Sequence, residues 1–193
     1  MKILVYIQSA EGKINPISLE SLVAAQQLKK EKSAQVHAVT FSSDIANKLS
    51  DYDIDSVIHV SHDSLNEYSP LHYIETFNQL NSELNPDLII FGHTYETRDW
   101  VPRLSARLDI PFLSDCVGMN INDTITYTRS LYQNKINTDL SVSSKSAIIS
   151  DKGVKNRSLS FSEIPLYKLS RLDALTLTAQ SIPEVPPQPN QAT

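Results

Sequence analysis

The sequence predicts a three-layer α/β/α domain on a mainly parallel, Rossmann-like sheet, extended by antiparallel strands after residue 117. Three observations carry this. Short apolar runs alternate with amphipathic segments as far as Cys116, in the repeated order strand, helix, strand. The runs at 3–7 and 88–91 are apolar without alternation, as in strands covered on both faces. After Cys116 the period changes to two, and Asn122-Asp123 reads as a hairpin turn.

Residues 3–7 form the first strand, followed by a polar loop, 8–15, that contains Gly12. Pro16 suits the first turn of a helix, where its missing N–H costs nothing, with Asn15 or Ser18 as the cap. Three residues after Ser18 stands Ser21 rather than an acid or amide, so Ser18 has no full capping box. Lys29-Lys-Glu-Lys32 closes this helix, its cations suited to the negative end. Residues 36–41 make the second strand, 44–49 a short helix and 56–60 the third strand. A helix over 68–84 has Pro70 in its first turn and turns Ile74, Phe77, Leu80 and Leu84 inward.

Asn85-Pro-Asp87 is a turn into the fourth strand, 88–91, and Gly92 ends it where the backbone needs room or a positive φ. Residues 93–99 read as a polar loop. Trp100, Val101, Leu104 and Leu108 then recur at helical spacing, which places Pro102 in a first turn. Asp109 and Pro111 stop that helix, and the fifth strand runs from Phe112 through Cys116. The implied strand order is 3-2-1-4-5, with a switch point between the first and fourth strands. The loops 8–15 and 92–99 flank the crevice there, where such sheets meet their ligands and partners. Stretches at 119–127, 131–136, 140–149 and 159–161 read as antiparallel strands added to one end of the sheet. Residues 166–180 are a C-terminal segment whose leucines fit neither the strand nor the helix period. The Pro-rich stretch 181–193 reads as a flexible tail or linker.

Composition narrows the function classes. The chain of 193 residues suffices for one domain with a sizeable core. Its net charge is −5, and Lys and Arg are scattered, which argues against nucleic acid or an anionic membrane as partner. Cys116 is the only cysteine, so no intrachain disulfide forms. Neither a signal peptide nor a membrane-spanning run is evident, so a cytoplasmic location is expected. The four glycines, Gly12, Gly92, Gly118 and Gly153, are too far apart for G-x-G-x-x-G or a P-loop, and no phosphate cradle of standard form is present.

The candidate binding residues are Thr94, Arg98 and Asp99, at the mouth of the crevice, suited to a partner or an anionic ligand. The competing reading is local: Thr94 or Asp99 caps the helix and Arg98 pairs with a surface carboxylate. His93 can titrate near neutrality, but the sequence places no Ser or Cys nucleophile beside it. His59, His62 and Asp63 loosely resemble a metal group, yet strand and loop need not turn the two imidazoles together, and no metal is expected. Cys116 lacks a second cysteine and a basic neighbour and reads as a buried structural thiol. Arg103 and Arg107 present a positive patch or pair with local carboxylates. Tyr127, Tyr132 and Phe161 read as packing residues. No catalytic residue is assigned.

Taken together and in order, several motifs resemble one family. These are Gly92-His-Thr94, Arg98-Asp99, Pro102-Arg103-Leu104, Ala106-Arg107-Leu108 and Asp115-Cys116. Earlier come Lys2-Ile-Leu-Val-Tyr-Ile7, Gly12-Lys-Ile14 and Ser18-Leu-Glu-Ser-Leu22. They resemble the N-terminal domain of the electron transfer flavoprotein alpha subunit, from residue 1 to about 163, and 1–165 reads as that α/β domain. The resemblance implies a heterodimeric electron carrier. The first alpha domain packs on the beta subunit, and a second alpha domain holds FAD. Nothing after Glu163 supplies the second domain, so no flavin-binding residue is carried over. The expectation is a scaffold and partner-docking domain without a catalytic site of its own. It would serve a complex that passes electrons from flavin dehydrogenases to an acceptor, with FAD in the complete complex only. An alternative of another class is a stand-alone adenine-nucleotide-binding module, as in universal stress-like proteins, built on the loops 8–15 and 92–99; the missing glycine-rich loop counts against it. A third possibility is a hydrolase acting through His93.

Overall fold

The computed structural model describes residues 1–133 and 135–152, and 175–178 as backbone. Nine strands form one sheet in the order β11-β5-β4-β1-β6-β10-β7-β8-β9. The first half of the chain supplies β1 (Lys2–Tyr6), α1 (Pro16–Lys32), β4 (Gln35–Thr40), α2 (Ser43–Leu49) and β5 (Ser56–Ser61). The rest supplies α3 (Pro70–Leu84), β6 (Leu88–Gly92), α4 (Tyr95–Leu108), β7 (Phe112–Ile121), β8 (Ile125–Leu131), β9 (Ile136–Ser141), β10 (Ala147–Asp151) and β11 (Leu175–Thr178). The short strands β2 (Ser9–Ala10) and β3 (Lys13–Ile14) pair only with each other. They make a hairpin inside the first polar loop, and its tip, Glu11 and Gly12, has positive φ at both positions, the pattern of a two-residue loop.

The core has two sides because strand side chains alternate. Ile3, Val5, Leu88, Ile90 and Ile149 pack with Leu22 and Leu28 of α1 and Ile45 and Leu49 of α2. Leu4, Tyr6, Ile89, Phe91 and Ile148 face Phe77 and Leu80 of α3 and Trp100 and Leu104 of α4. These are the three layers expected. Asn15 caps α1 by accepting from the Ile17 N–H at 3.0 Å, with Pro16 in the first turn. Ser18, the other candidate cap, instead accepts from the Gln8 N–H at 3.1 Å and ties α1 to the end of β1.

Three expectations are corrected. The order 3-2-1-4 holds, but β10 lies between the fourth and fifth strands and is parallel to both. Residues 140–149 are therefore two strands, with the polar 143–146 between them. Ala147, Ile148 and Ile149 form a run buried on both faces, and an antiparallel edge would leave one face in water. The 93–99 stretch is mostly helix: α4 starts at Tyr95, so Pro102 lies in its interior. That is tolerated because Pro102 and Arg98 are on the exposed side, where water reaches the Arg98 carbonyl that Pro102 cannot bond. Tyr132 is 74% exposed and packs nothing, whereas Tyr127 is buried as expected. Phe161, the stretch 159–161 and the Pro-rich tail lie outside the described residues.

β7 has a corner. Its first half pairs with β10 and its second with β8, with a register shift between Cys116 and Gly118 and a positive φ at Asp115. Past the corner the chain turns back. Asp123 and Ile125 line a cavity with Met1, Asp87 and Ala147, at the starts of β1, β6 and β10. Lys32, ending α1, donates to the Asn122 carbonyl there. β7, β8 and β9 thus form an antiparallel ribbon whose inner face, with Met119 and Tyr127, closes the α1 side of the core. Among the described residues no helix is long and apolar enough to cross a membrane.

Candidate functional site

The C-terminal ends of β1, β6 and β10 lie side by side with the corner of β7, and their polar residues make one rim. β6 ends at Gly92, whose Cα faces the first turn of α1. An added Cβ there would meet Ile17 Cγ2 at 3.0 Å and the Ile17 carbonyl carbon at 3.3 Å. Gly92 is needed for room. Thr94 then caps α4 in a reciprocal box: it accepts from the Thr97 N–H at 3.2 Å, and Thr97 Oγ1 accepts from the Thr94 N–H at 3.0 Å. Thr97 Oγ1 also donates to the Gly92 carbonyl at 2.5 Å, which fixes the strand-to-helix turn.

Of the candidate residues, Thr94 is thus consumed as a cap. Arg98 and Asp99 sit on α4, on its exposed side. Asp99 accepts from Arg103 at 3.0 Å and from the Tyr68 hydroxyl at 2.7 Å. Arg98 forms no ion pair among the described residues and lies over the ring of Tyr95, 5.6 Å from its centroid. Tyr95 is 90% exposed. Arg107 pairs with Glu75 at 2.5 Å, so Arg103 and Arg107 are locally neutralised while Arg98 is not.

His93 lies in a cluster that sequence reasoning missed. Ser150 at the end of β10 sits 2.9 Å from His93 Nδ1 and accepts the Asp115 N–H at 3.2 Å. The Ser150 oxygen keeps a second lone pair, so the direction of its bond with Nδ1 follows the imidazole tautomer. Nε2 faces Asp115 Oδ1 at 3.9 Å, and Lys152 holds the same oxygen at 2.5 Å. Burial, joined by the cations of Lys152, Arg98 and Arg129, pushes His93 below the ordinary histidine value, and Asp115 opposes it. Serine, imidazole and carboxylate are all here, but not as a triad. Ser150 is only 2% exposed, and its oxygen is engaged by the backbone. The cluster is a tie that holds the β7 corner to the ends of β6 and β10. Asp151, next along β10, is fully buried and accepts from Ser21 of α1 at 3.2 Å.

His59 stays on β5, while His62 turns back to cap the next turn by accepting from the Ser64 N–H at 3.2 Å. Among the described residues no three His, Cys, Asp or Glu side chains converge as metal ligands. Cys116 is buried with its thiol pushed up to about 12, first by burial and then by Asp151.

A doubly wound, mainly parallel sheet with its polar rim at the strand C-termini defines a nucleotide-type α/β domain, here without a phosphate loop among the described residues. The electron transfer flavoprotein domain profile matches residues 3–152, and the chain belongs to that family. It is 28% identical to the electron transfer flavoprotein subunit alpha of Thermoanaerobacterium thermosaccharolyticum, over 63% of this chain and 38% of that protein. It is 26% identical to the subunit of the same name from Bacillus subtilis, over 69% of this chain and 42% of that one. With the acryloyl-CoA reductase electron transfer subunit beta of Anaerotignum propionicum it shares 28% identity, over 62% of this chain and 34% of that protein. The match thus spans less than half the length of each of these relatives.

Proposed function

We propose that this chain is the N-terminal scaffold and partner-docking domain of an electron transfer flavoprotein alpha subunit. It pairs with a beta subunit in the cytoplasm, and the complex passes electrons from flavin dehydrogenases to an acceptor. The observation that carries this reading is the family match, which extends over the whole α/β unit from β1 to β10. The chain's own contribution is mechanical: the tied corner and the filled Gly92 turn join the ends of β6 and β10 to β7 and α1.

For the FAD that the family implies, neither Gly92 nor Gly12 opens a diphosphate cradle among the described residues. Its diphosphate needs open backbone N–H groups or cations. Gly92 is packed against α1, and Gly12 sits at the tip of a two-residue hairpin. We therefore assign the FAD of the complete complex to the part of the alpha subunit outside this match, and derive no electron-transfer step here. Docking is tested by melting the chain alone, with an electron transfer flavoprotein beta subunit, and with ATP, AMP or FAD. A ligand at a hundred times its dissociation constant stabilises a fold by about 2.7 kcal/mol. The expected result is an upward shift with the beta subunit only. A shift with ATP or AMP, or flavin retained stoichiometrically by the chain alone, refutes the reading.

A further inference from the structure

A second feature of the rim is separate from the His93 tie. A cavity of about 400 Å³ opens outside the ends of β1, β4 and β5. That volume is within the range of small-molecule sites, about 300–1,000 Å³. Its walls include the aromatic residues Tyr6, Phe41 and Tyr73, with Gln8, His59 and Glu96 among the polar groups. Tyr6 and Phe41 have ring centroids 5.3 Å apart, and Phe41 and Tyr73 4.6 Å apart.

The charge in this cavity is one-sided. Among the described lining residues Glu96, from the first turn of α4, is the only carboxylate, and none is Lys or Arg. None of the ion pairs among the described residues includes Glu96. Among the described residues its carboxylate is held by neutral donors, the Tyr6 hydroxyl at 3.2 Å and the Gln8 side chain. A half-buried carboxylate without a cation is costly, and a helix N-terminus offsets only part of that cost, about 0.3–1 kcal/mol at an exposed site. Burial accordingly raises Glu96 above the ordinary carboxylate range, against the two hydrogen bonds.

The lining selects among ligands. A phosphate would meet an unshielded negative charge. A hard divalent ion needs several oxygen ligands, usually more than one carboxylate, and Glu96 stands alone. An organic ammonium ion suits this lining, because the Glu96 carboxylate takes its N–H donors. We propose that this cavity is a binding site for a small organic ammonium ion whose N–H groups pair with the Glu96 carboxylate.

The test titrates the full chain with ethanolamine and putrescine, with choline as an analogue lacking N–H donors and AMP as an anionic control. Calorimetry reads affinity, and amide NMR shifts read location. The expected result is saturable binding of the two amines, with shifts at Tyr6, Ser42 and Glu96. The Glu96→Gln variant should bind at least about tenfold more weakly, the loss that goes with one charge-assisted hydrogen bond. Choline should bind more weakly than ethanolamine. Absence of saturation up to about 20 mM amine overturns the proposal, that concentration being well above a millimolar dissociation constant. So do equal affinities in Glu96→Gln, choline as tight as ethanolamine, or AMP as the tightest ligand. Should Glu96→Gln not fold, the NMR shifts decide: shifts confined to other surfaces overturn the proposal as well.

Discussion

Gly92→Ala is the sharpest test of how the rim is built. The new methyl would stand 3.0 Å from Ile17 Cγ2, 3.3 Å from the Ile17 carbonyl carbon and 3.4 Å from the Ser18 nitrogen. The first neighbour is a partly exposed side chain that can yield. The other two are backbone of an anchored turn, held by the Asn15 cap and by the bond from the Gln8 N–H to Ser18. Overpacking of this kind costs about 1–3 kcal/mol. With a urea slope of about 1–3 kcal/mol per molar, the unfolding midpoint should fall by roughly 1 M. Circular dichroism during urea titration measures it. Ile17→Ala removes Cγ2, so adding it to Gly92→Ala should restore part of the loss and leave the backbone share. An unchanged midpoint in Gly92→Ala refutes the close-approach argument. Complete rescue by Ile17→Ala would show that only the side chain matters.

Two further predictions concern buried titratable groups. His93 is held below the ordinary histidine value when folded, so between that lowered value and about 6.5 the unfolded chain binds more protons. Stability should therefore rise with pH across this window and fall on acidification. His93→Asn should flatten the slope of unfolding free energy against pH; an unchanged slope would mean that His93 titrates as if exposed. Cys116, with its thiol pushed up to about 12, should resist iodoacetamide in the native chain and react only after denaturation, as read by mass spectrometry. Native labelling as fast as that of a small thiol would contradict its burial.

Much of the fold was legible because its signals are local. Apolar runs located β1, β4, β5 and β6, and Pro16 and Pro70 marked the starts of α1 and α3. The errors came where a local rule met tertiary context. Pro102 pulled the expected start of α4 about five residues late, because an exposed proline is tolerated inside a helix that is packed on its other side. The Ala-Ile-Ile run of β10 carried the mark of a doubly covered strand, but its place among antiparallel stretches hid it. The rim cluster was not legible. His93 and Ser150 are 57 residues apart and Asp115 and Ser150 are 35 apart, and no spacing rule joins them. One signal did exist: Ser150-Asp151 follows an apolar run just as His93-Thr94 follows another, and both mark the ends of strands at one rim.

The placement of β10 bears on how the protein is made. During synthesis β6 and β7 emerge first, and the strand that joins them begins at Ala147, 35 residues after β7 begins at Phe112. Until then the nascent chain carries two open sheet edges in its middle, each a template for wrong pairing. The domain cannot lock by adding strands outward from β1. Its central pairings wait for a strand made late, a long-range closure of the kind that slows folding. A ribosome stalled short of that point would leave an aggregation-prone half-sheet rather than a smaller working one.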